Sequence, residues 1–229
     1  MSTLDPTYFW YIFIPTLLVS LAAQLYMGRV YARWSNTRNS AGLNGVQVSR
    51  QVISQAGLQP VSFERAPGSL TDHFDPTTQT VRLSDPVGMQ ATVASMAVAA
   101  HELGHVQQYQ TGSALIGMRN FLLPALQFCP ALSYLSLLLG ILLQSTGLLW
   151  IGIFFFALMV LFTILTLPVE FDASRRALKM LEGAGLIKSQ QDSLGAKAVL
   201  NAAALTYVAA AITSILQLMY YISLVQRRR

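Results

Sequence analysis

The sequence contains four apolar segments, each long enough to cross a lipid bilayer as a helix. They run from about Tyr8 to Met27, Phe121 to Leu143, Leu148 to Leu167, and Val199 to Val225, and a spanning helix needs roughly 20 apolar residues. Charged residues make up only 11% of the chain, whereas a typical soluble domain carries about 25%. We therefore expect a predominantly α-helical integral membrane protein with about four transmembrane helices.

The basic residues predict how these helices are oriented. Twelve of the fifteen lie in the two polar loops, namely Arg29, Arg33, Arg38, Arg50, Arg65, Arg82 and Arg119 in the first and Arg175, Arg176, Lys179, Lys188 and Lys197 in the second. The positive-inside rule places both loops in the cytoplasm, with the N-terminus and the Gln144–Gly147 turn outside. The Arg227–Arg229 tail then falls outside, against the same rule.

The division into apolar and polar stretches predicts five parts. They are an N-terminal transmembrane anchor (1–28), a cytoplasmic domain (29–120), a transmembrane hairpin (121–168), a cytoplasmic helical segment (169–197), and a C-terminal helix with its basic tail (198–229). The first segment has Asp5 in its flank and no Lys or Arg, so we expect an anchor that is retained and not a signal peptide. The net charge of +5 does not indicate a nucleic-acid partner, because the basic residues flank membrane segments.

Local patterns predict a small α+β fold for the 29–120 domain. Gly45 to Ala56 is amphipathic and is followed by Gly57, a typical helix stop. Val61–Arg65 and Thr80–Ser84 alternate in the manner of strands. A helix is expected to begin at Ser84-Asp85-Pro86, to break near Gly88 and to end near Gly112.

The second of these helices carries His101-Glu102-Leu103-Gly104-His105, an H-E-x-x-H motif. Two imidazoles four positions apart project from one helix face and can bind a single metal ion, while Glu102 lies close enough to deprotonate a metal-activated water. Since a glycine within a helix costs about 1 kcal/mol, we expect Gly104 to permit the close approach of a neighbouring element. A strand followed by such a helix is the minimal arrangement of a zincin-like domain.

A catalytic zinc ion usually takes three protein ligands, and the third is to be sought outside the motif. Cys129 is the only cysteine, which excludes a cysteine-based site and an intrachain disulfide. The remaining candidates are His73, Asp72, Asp75, Asp85, Glu170 and Asp172. Glu170 is favoured because it directly follows an apolar span, where an unpartnered carboxylate is costly. Asp172 and His73 remain the alternatives.

Four stretches together resemble a known family. They are Leu-Thr-Asp-His-Phe-Asp-Pro (70–76), Thr-Val-Arg-Leu-Ser (80–84), Ala-Ala-His-Glu-Leu-Gly-His (99–105) and Pro-Val-Glu-Phe-Asp-Ala-Ser-Arg-Arg-Ala (168–177). The chain resembles the bacterial YugP-type membrane zinc metallopeptidases and is distantly similar to the HtpX-type and CAAX prenyl proteases. The resemblance implies zinc bound by a glutamate at the position of Glu170, and peptidase activity facing the cytoplasm. The distant families have an aspartate where Ser174 stands.

Four further residues are candidates for contacts with the substrate or the oxyanion: His73, Tyr109, Arg175 and Arg176. Each has an alternative role: His73 can organise a turn, Tyr109 can pack, and the arginines can set topology or pair with Asp172. Thr80–Ser84 is our candidate for a strand edge that pairs with an extended substrate. The alternative is an internal strand with both edges occupied.

These features favour a zinc metalloendopeptidase with one zinc ion per chain and a polypeptide substrate. A site at the cytoplasmic face of the bacterial plasma membrane suits substrates delivered by the bilayer, as in membrane protein quality control. The alternative is a catalytically silent membrane scaffold or adaptor that retains the motif. A metal transporter is disfavoured, because the apolar segments lack a series of His, Asp or Glu residues.

Overall fold

The computed structural model describes residues 8–227, apart from the side chain of Ala125, and is mostly helical with one small sheet. Asp5, Arg228 and Arg229, which entered the topology prediction, lie outside the described residues. A π-helical turn (Phe9–Phe13) precedes the first helix. The helices are α1 (Ile14–Ser35), α2 (Gly45–Ala56), α3 (Asp85–Gly88), α4 (Val93–Gln110), α5 (Ala114–Leu126), α6 (Cys129–Leu142), α7 (Thr146–Gly183) and α8 (Gln190–Gln226). The strands are β1 (Ser62–Ala66), β2 (His73–Asp75) and β3 (Thr80–Ser84). The predicted fold class is confirmed.

Among the described residues, three helices are long and apolar enough to cross a membrane: Phe9–Ser35, Thr146–Gly183 and Gln190–Gln226. The predicted second span is not one straight helix. The chain forms α5 and α6 there, and the two are bent by 50° at a short break. Pro130 lies in the first turn of α6, and proline lacks the N–H that would continue the preceding helix. The described residues therefore contain three candidate membrane spans, or four if this bent pair of helices forms a single span.

The chain divides into two compact units. The first comprises Met1–Gln24, Gly117–Pro168 and Thr206–Arg229. Within it, the Ser133 hydroxyl donates a hydrogen bond of 3.0 Å to the carbonyl of Gly152, and a Cβ at Gly152 would lie 2.9 Å from the backbone nitrogen of Leu137. Small residues therefore allow α6 and α7 to pack closely, as is common between membrane helices.

The second unit comprises Leu25–Ile116 and Val169–Leu205 and contains the sheet, whose strand order is β1-β3-β2. β3 pairs with β1 in parallel and with β2 in antiparallel orientation. The proposal that Thr80–Ser84 is an open edge is therefore wrong, because both of its edges are occupied. The outer strand on that side is β2 (His73–Asp75), which is too short to show the alternation that marks a strand.

The helix α2 begins and ends where the sequence predicts. Asn44 caps it reciprocally with Gln47, and Gly57 ends it in the left-handed conformation at φ +64°. This is a capping box with a glycine C-cap, which together satisfy the free backbone groups at both ends of a helix.

The motif-bearing helix α4 is the centre of the second unit. After the break at Gly88 a new N-cap, Thr92, starts it, and its side chain accepts a hydrogen bond from Ser95. Most of its side chains are fully buried, as expected for a helix that is apolar all round. A Cβ at Gly104 would overlap the carbonyl oxygen of Ala173 and lie 3.0 Å from its carbon. The predicted close approach is confirmed, and the neighbour is α7.

Candidate metal centre

Two histidines of α4 and one glutamate of α7 converge. His101 Nε2 lies 3.3 Å, and His105 Nε2 3.7 Å, from the same Glu170 oxygen. The two imidazole rings are nearly perpendicular, at 84°, with centroids 4.8 Å apart. Among the described residues these three form a group of possible metal ligands whose ligand atoms all lie within 4.8 Å of one another.

The spacing of these atoms fits a zinc ion. Tetrahedral coordination with bonds of about 2.0–2.1 Å separates the ligand atoms by about 3.3 Å, close to the two distances observed here. Both histidines present Nε2 to the cluster and use Nδ1 for an outer partner, as is usual for histidines that bind a metal. The donor set of two imidazoles and one carboxylate is one that zinc uses at catalytic sites.

Glu102 lies next to this cluster and is only 6% exposed. Burial is the largest influence and raises the pKa of the carboxyl group above its ordinary value, although the nearby imidazoles of His101 and His105 act in the opposite direction. No described residue donates a hydrogen bond to it. Its oxygens are therefore free to hold a water molecule, and the raised pKa makes it a better proton acceptor.

Each histidine has a different outer partner. His101 Nδ1 lies 3.2 Å from the hydroxyl of Ser174, the residue that replaces the aspartate of the distant families. His105 Nδ1 lies 3.1 Å from Oε1 of Gln108. Burial lowers the pKa of His105, but the neighbouring Glu170 carboxylate outweighs it, so that the pKa is raised overall. Sequence reasoning missed Gln108, because glutamine is not a metal ligand and the motif ends at His105.

The structure leaves both alternative third ligands out of the cluster. Asp172 instead binds Arg175 and Arg176 at 3.0 Å and 2.6 Å, so the predicted pairing with an arginine is present. These two guanidinium groups are therefore engaged, and the structure does not bring them to the histidines. His73 is exposed on β2, and its Nδ1 lies 2.8 Å from the carbonyl of Thr71.

The remaining candidates have structural partners. Tyr109 is 39% exposed and meets Phe74 edge-on, with 6.0 Å between the ring centroids, which fits its predicted packing role. Asp72 accepts a hydrogen bond of 2.7 Å from the backbone of Ser84, and burial raises the pKa of its carboxyl group. Asp75 forms an ion pair with Arg82, and Asp85 forms one with Arg65.

Comparison with known proteins identifies the family. Residues 9–226 match the family model described as "Putative neutral zinc metallopeptidase". The chain belongs to this family. It is also 37% identical over 214 residues to "Putative membrane protease YugP" of Bacillus subtilis (strain 168), covering 93% of this chain and 95% of the relative. No solved structure matches.

The resemblance seen in the motifs is thereby confirmed. Family membership and the relative support a zinc peptidase that is associated with a membrane, in agreement with the apolar helices. The roles of individual residues stay predictions, which the geometry of the cluster supports.

Proposed function

We propose that the protein is a membrane-embedded, zinc-dependent metalloendopeptidase that acts at the cytoplasmic face of the bacterial plasma membrane. The observation that carries this proposal is the convergence of His101, His105 and Glu170, with a buried Glu102 that no described residue engages in a hydrogen bond. A structural ion pair would need neither the perpendicular imidazoles nor the adjacent free carboxylate.

Each residue has a specific role in peptide hydrolysis. His101, His105 and Glu170 would hold the zinc ion, which when bound lowers the pKa of a water molecule toward about 7 and polarises a peptide carbonyl. Glu102 holds that water, takes its proton as general base and delivers the proton to the leaving amine. Ser174 orients the ring of His101 from the side opposite Glu170.

The sheet offers a place for an extended substrate. β2 is an outer strand, and its Phe74 meets Tyr109 of the motif-bearing helix α4 edge-on. We propose that a substrate backbone pairs with the outer edge of β2, where His73 is exposed.

The first test of the proposal combines metal analysis with a substitution. The purified chain is expected to contain one zinc ion and to cleave a polypeptide, and Glu102→Gln should keep the zinc but cleave about 10²–10⁴-fold more slowly. Glu182→Gln is the matched control, because Glu182 is an exposed glutamate of α7 outside the cluster. Zinc binding without any cleavage by the parent chain would favour the scaffold or adaptor alternative.

The second test addresses the substrate class and the membrane side. Glu170 follows the apolar part of α7 by only a few residues, which supports substrates delivered by the bilayer, as in membrane protein quality control. Equal cleavage of soluble and membrane-anchored versions of one peptide would contradict this.

The orientation of the protein in the membrane is tested separately. Ser145→Cys and Thr77→Cys in a Cys129→Ser background are labelled in intact cells with an impermeant maleimide. Only Ser145→Cys should react.

A further inference from the structure

Gln108 is fully buried three positions after His105 and makes three hydrogen bonds through one amide group. Its Nε2 donates to the backbone carbonyl of Val169 and to Oδ2 of Asp172, each at 2.9 Å. Its Oε1 lies 3.1 Å from His105 Nδ1. Gln108 therefore contacts the proposed ligand His105 on its own helix. It also contacts the residues of α7 on both sides of the proposed ligand Glu170.

These contacts determine which way the amide points. A backbone carbonyl and a carboxylate are acceptors only, so the two hydrogens of the amide must face Val169 and Asp172. The amide oxygen is then directed at His105. Because that oxygen can only accept, His105 Nδ1 must carry the hydrogen and donate it.

The same reasoning fixes the opposite side of the ring. With Nδ1 protonated, the neutral imidazole of His105 has its lone pair on Nε2, the atom that lies 3.7 Å from the Glu170 oxygen. A lone pair that faces a carboxylate at this distance suits a cation between them. Metal binding requires such an unprotonated nitrogen.

Asp172 keeps Gln108 in this orientation. Arg176 Nε donates to the same carboxylate oxygen as Gln108, at 2.6 Å, and Arg175 donates to the other oxygen at 3.0 Å. Two cations stabilise the ionised carboxylate, which therefore remains an acceptor and cannot offer a hydrogen to the amide. A series of hydrogen bonds thus runs from Arg176 through Asp172 and Gln108 to His105.

We propose that Gln108 is a positioning residue that holds His105 with Nδ1 protonated and Nε2 open to zinc, and that the Asp172–Arg176 pair holds Gln108. This rests on the proposed zinc site. In this proposal Asp172 neither binds the metal nor takes part in the chemistry, but fixes the orientation of the Gln108 amide. The proposal also explains why a buried glutamine follows the motif. Loss of such an outer partner typically weakens metal binding by about 10–100-fold.

The first experiment measures the zinc dissociation constant of the full chain in detergent by competition with a chelator. Gln108→Met keeps the length of the side chain and removes all three hydrogen bonds, and it should weaken zinc binding by about 10–100-fold. Gln110→Met is the control, because Gln110 lies on the same helix as Gln108, exchanges two hydrogen bonds with the backbone of Gln59 and contacts no proposed ligand. The control should stay within about twofold of the parent chain.

A second variant separates positioning from simple packing. In Asp172→Ala the Gln108 side chain is intact but has lost one of the two acceptors that orient its amide, so zinc binding should weaken by about tenfold. Equal affinities of the folded parent chain and Gln108→Met would overturn the proposal, and a parent-like affinity of Asp172→Ala would overturn the role given to the Asp172–Arg176 pair.

Nitrogen NMR of the ¹⁵N-histidine-labelled parent chain provides a readout that does not depend on these variants folding. The chain has only three histidines, so His73→Gln leaves two sets of ring signals to assign. In the zinc-bound chain His105 should show a protonated Nδ1, and an unprotonated Nδ1 would refute the proposal. A chain that binds zinc and cleaves nothing would remove the peptidase function but leave the role of Gln108 intact.

Discussion

Replacing Gly104 by alanine should disrupt the metal centre without changing any of its residues. Gly104 lies between the two histidines on α4, and its Cα faces the backbone of Ala173 on α7. An added Cβ would lie 3.0 Å from the carbonyl carbon of Ala173 and 3.1 Å from its Cα. These are backbone atoms, so no side-chain rotation can relieve the overlap.

The size of the effect follows from the contact distances. Carbon atoms pack best at about 3.5–4.0 Å, so α4 and α7 would have to separate locally by about 0.5–1 Å. The distance from His101 Nε2 to Glu170, now 3.3 Å, would lengthen by a similar amount, whereas zinc–ligand distances tolerate only about 0.2 Å. Overpacking costs about 1–3 kcal/mol, partly offset by about 1 kcal/mol of helix propensity. Folding should therefore weaken only modestly, but zinc binding and cleavage should fall by about 100-fold.

The assay is zinc affinity and kcat/KM of Gly104→Ala, with the thermal unfolding midpoint recorded on the same samples. Gly28→Ala is the control, since Gly28 is exposed within α1 and a Cβ there meets nothing within 4 Å. The control should bind zinc and cleave as the parent chain does. If Gly104→Ala were equally active, the close approach of the two helices would not be what sets the ligand geometry.

Three further outcomes are expected. Glu170→Gln should lower zinc affinity by more than about 100-fold, beyond the effect of losing an outer partner, as measured by chelator competition. Ser174→Ala, which removes such an outer partner, should lower the affinity by about tenfold in the same assay. Hydrogen bonds from Thr78 and Arg82 hold the pKa of Asp75 below its usual range, so its carboxylate stabilises the fold above about pH 4 and this contribution is lost as the pH falls further. The unfolding midpoint of Asp75→Asn should therefore be lower than that of the parent chain at pH 7, by a difference that shrinks below pH 4.

Local sequence patterns were sufficient for the parts of the fold that depend on neighbouring residues. The Gly45–Ala56 helix and its stop at Gly57 could be predicted from nearby residues, because amphipathic spacing and helix capping are decided within a few turns. The pairing of His101 with His105 follows likewise from helix geometry. Glu170 required a different argument, since its placement depends on the cost of an isolated carboxylate beside an apolar segment.

Features that depend on tertiary contacts could not be predicted in this way. Nothing in the alternation of Thr80–Ser84 tells whether its edges are paired, and β2 is too short to show a period. The role of Gln108 depends on an acceptor in α7, more than 60 residues away. A list of ligand-type residues therefore finds the cluster but not the side chain that orients it.

The continuity of α7 has a consequence for biosynthesis. His105, the nearer of the two motif histidines, is translated 65 residues before Glu170, and two of the apolar segments lie between them. A nascent chain therefore holds only two of the three proposed zinc ligands until most of its membrane helices have been made. On this arrangement a partly synthesised chain cannot complete the proposed metal site.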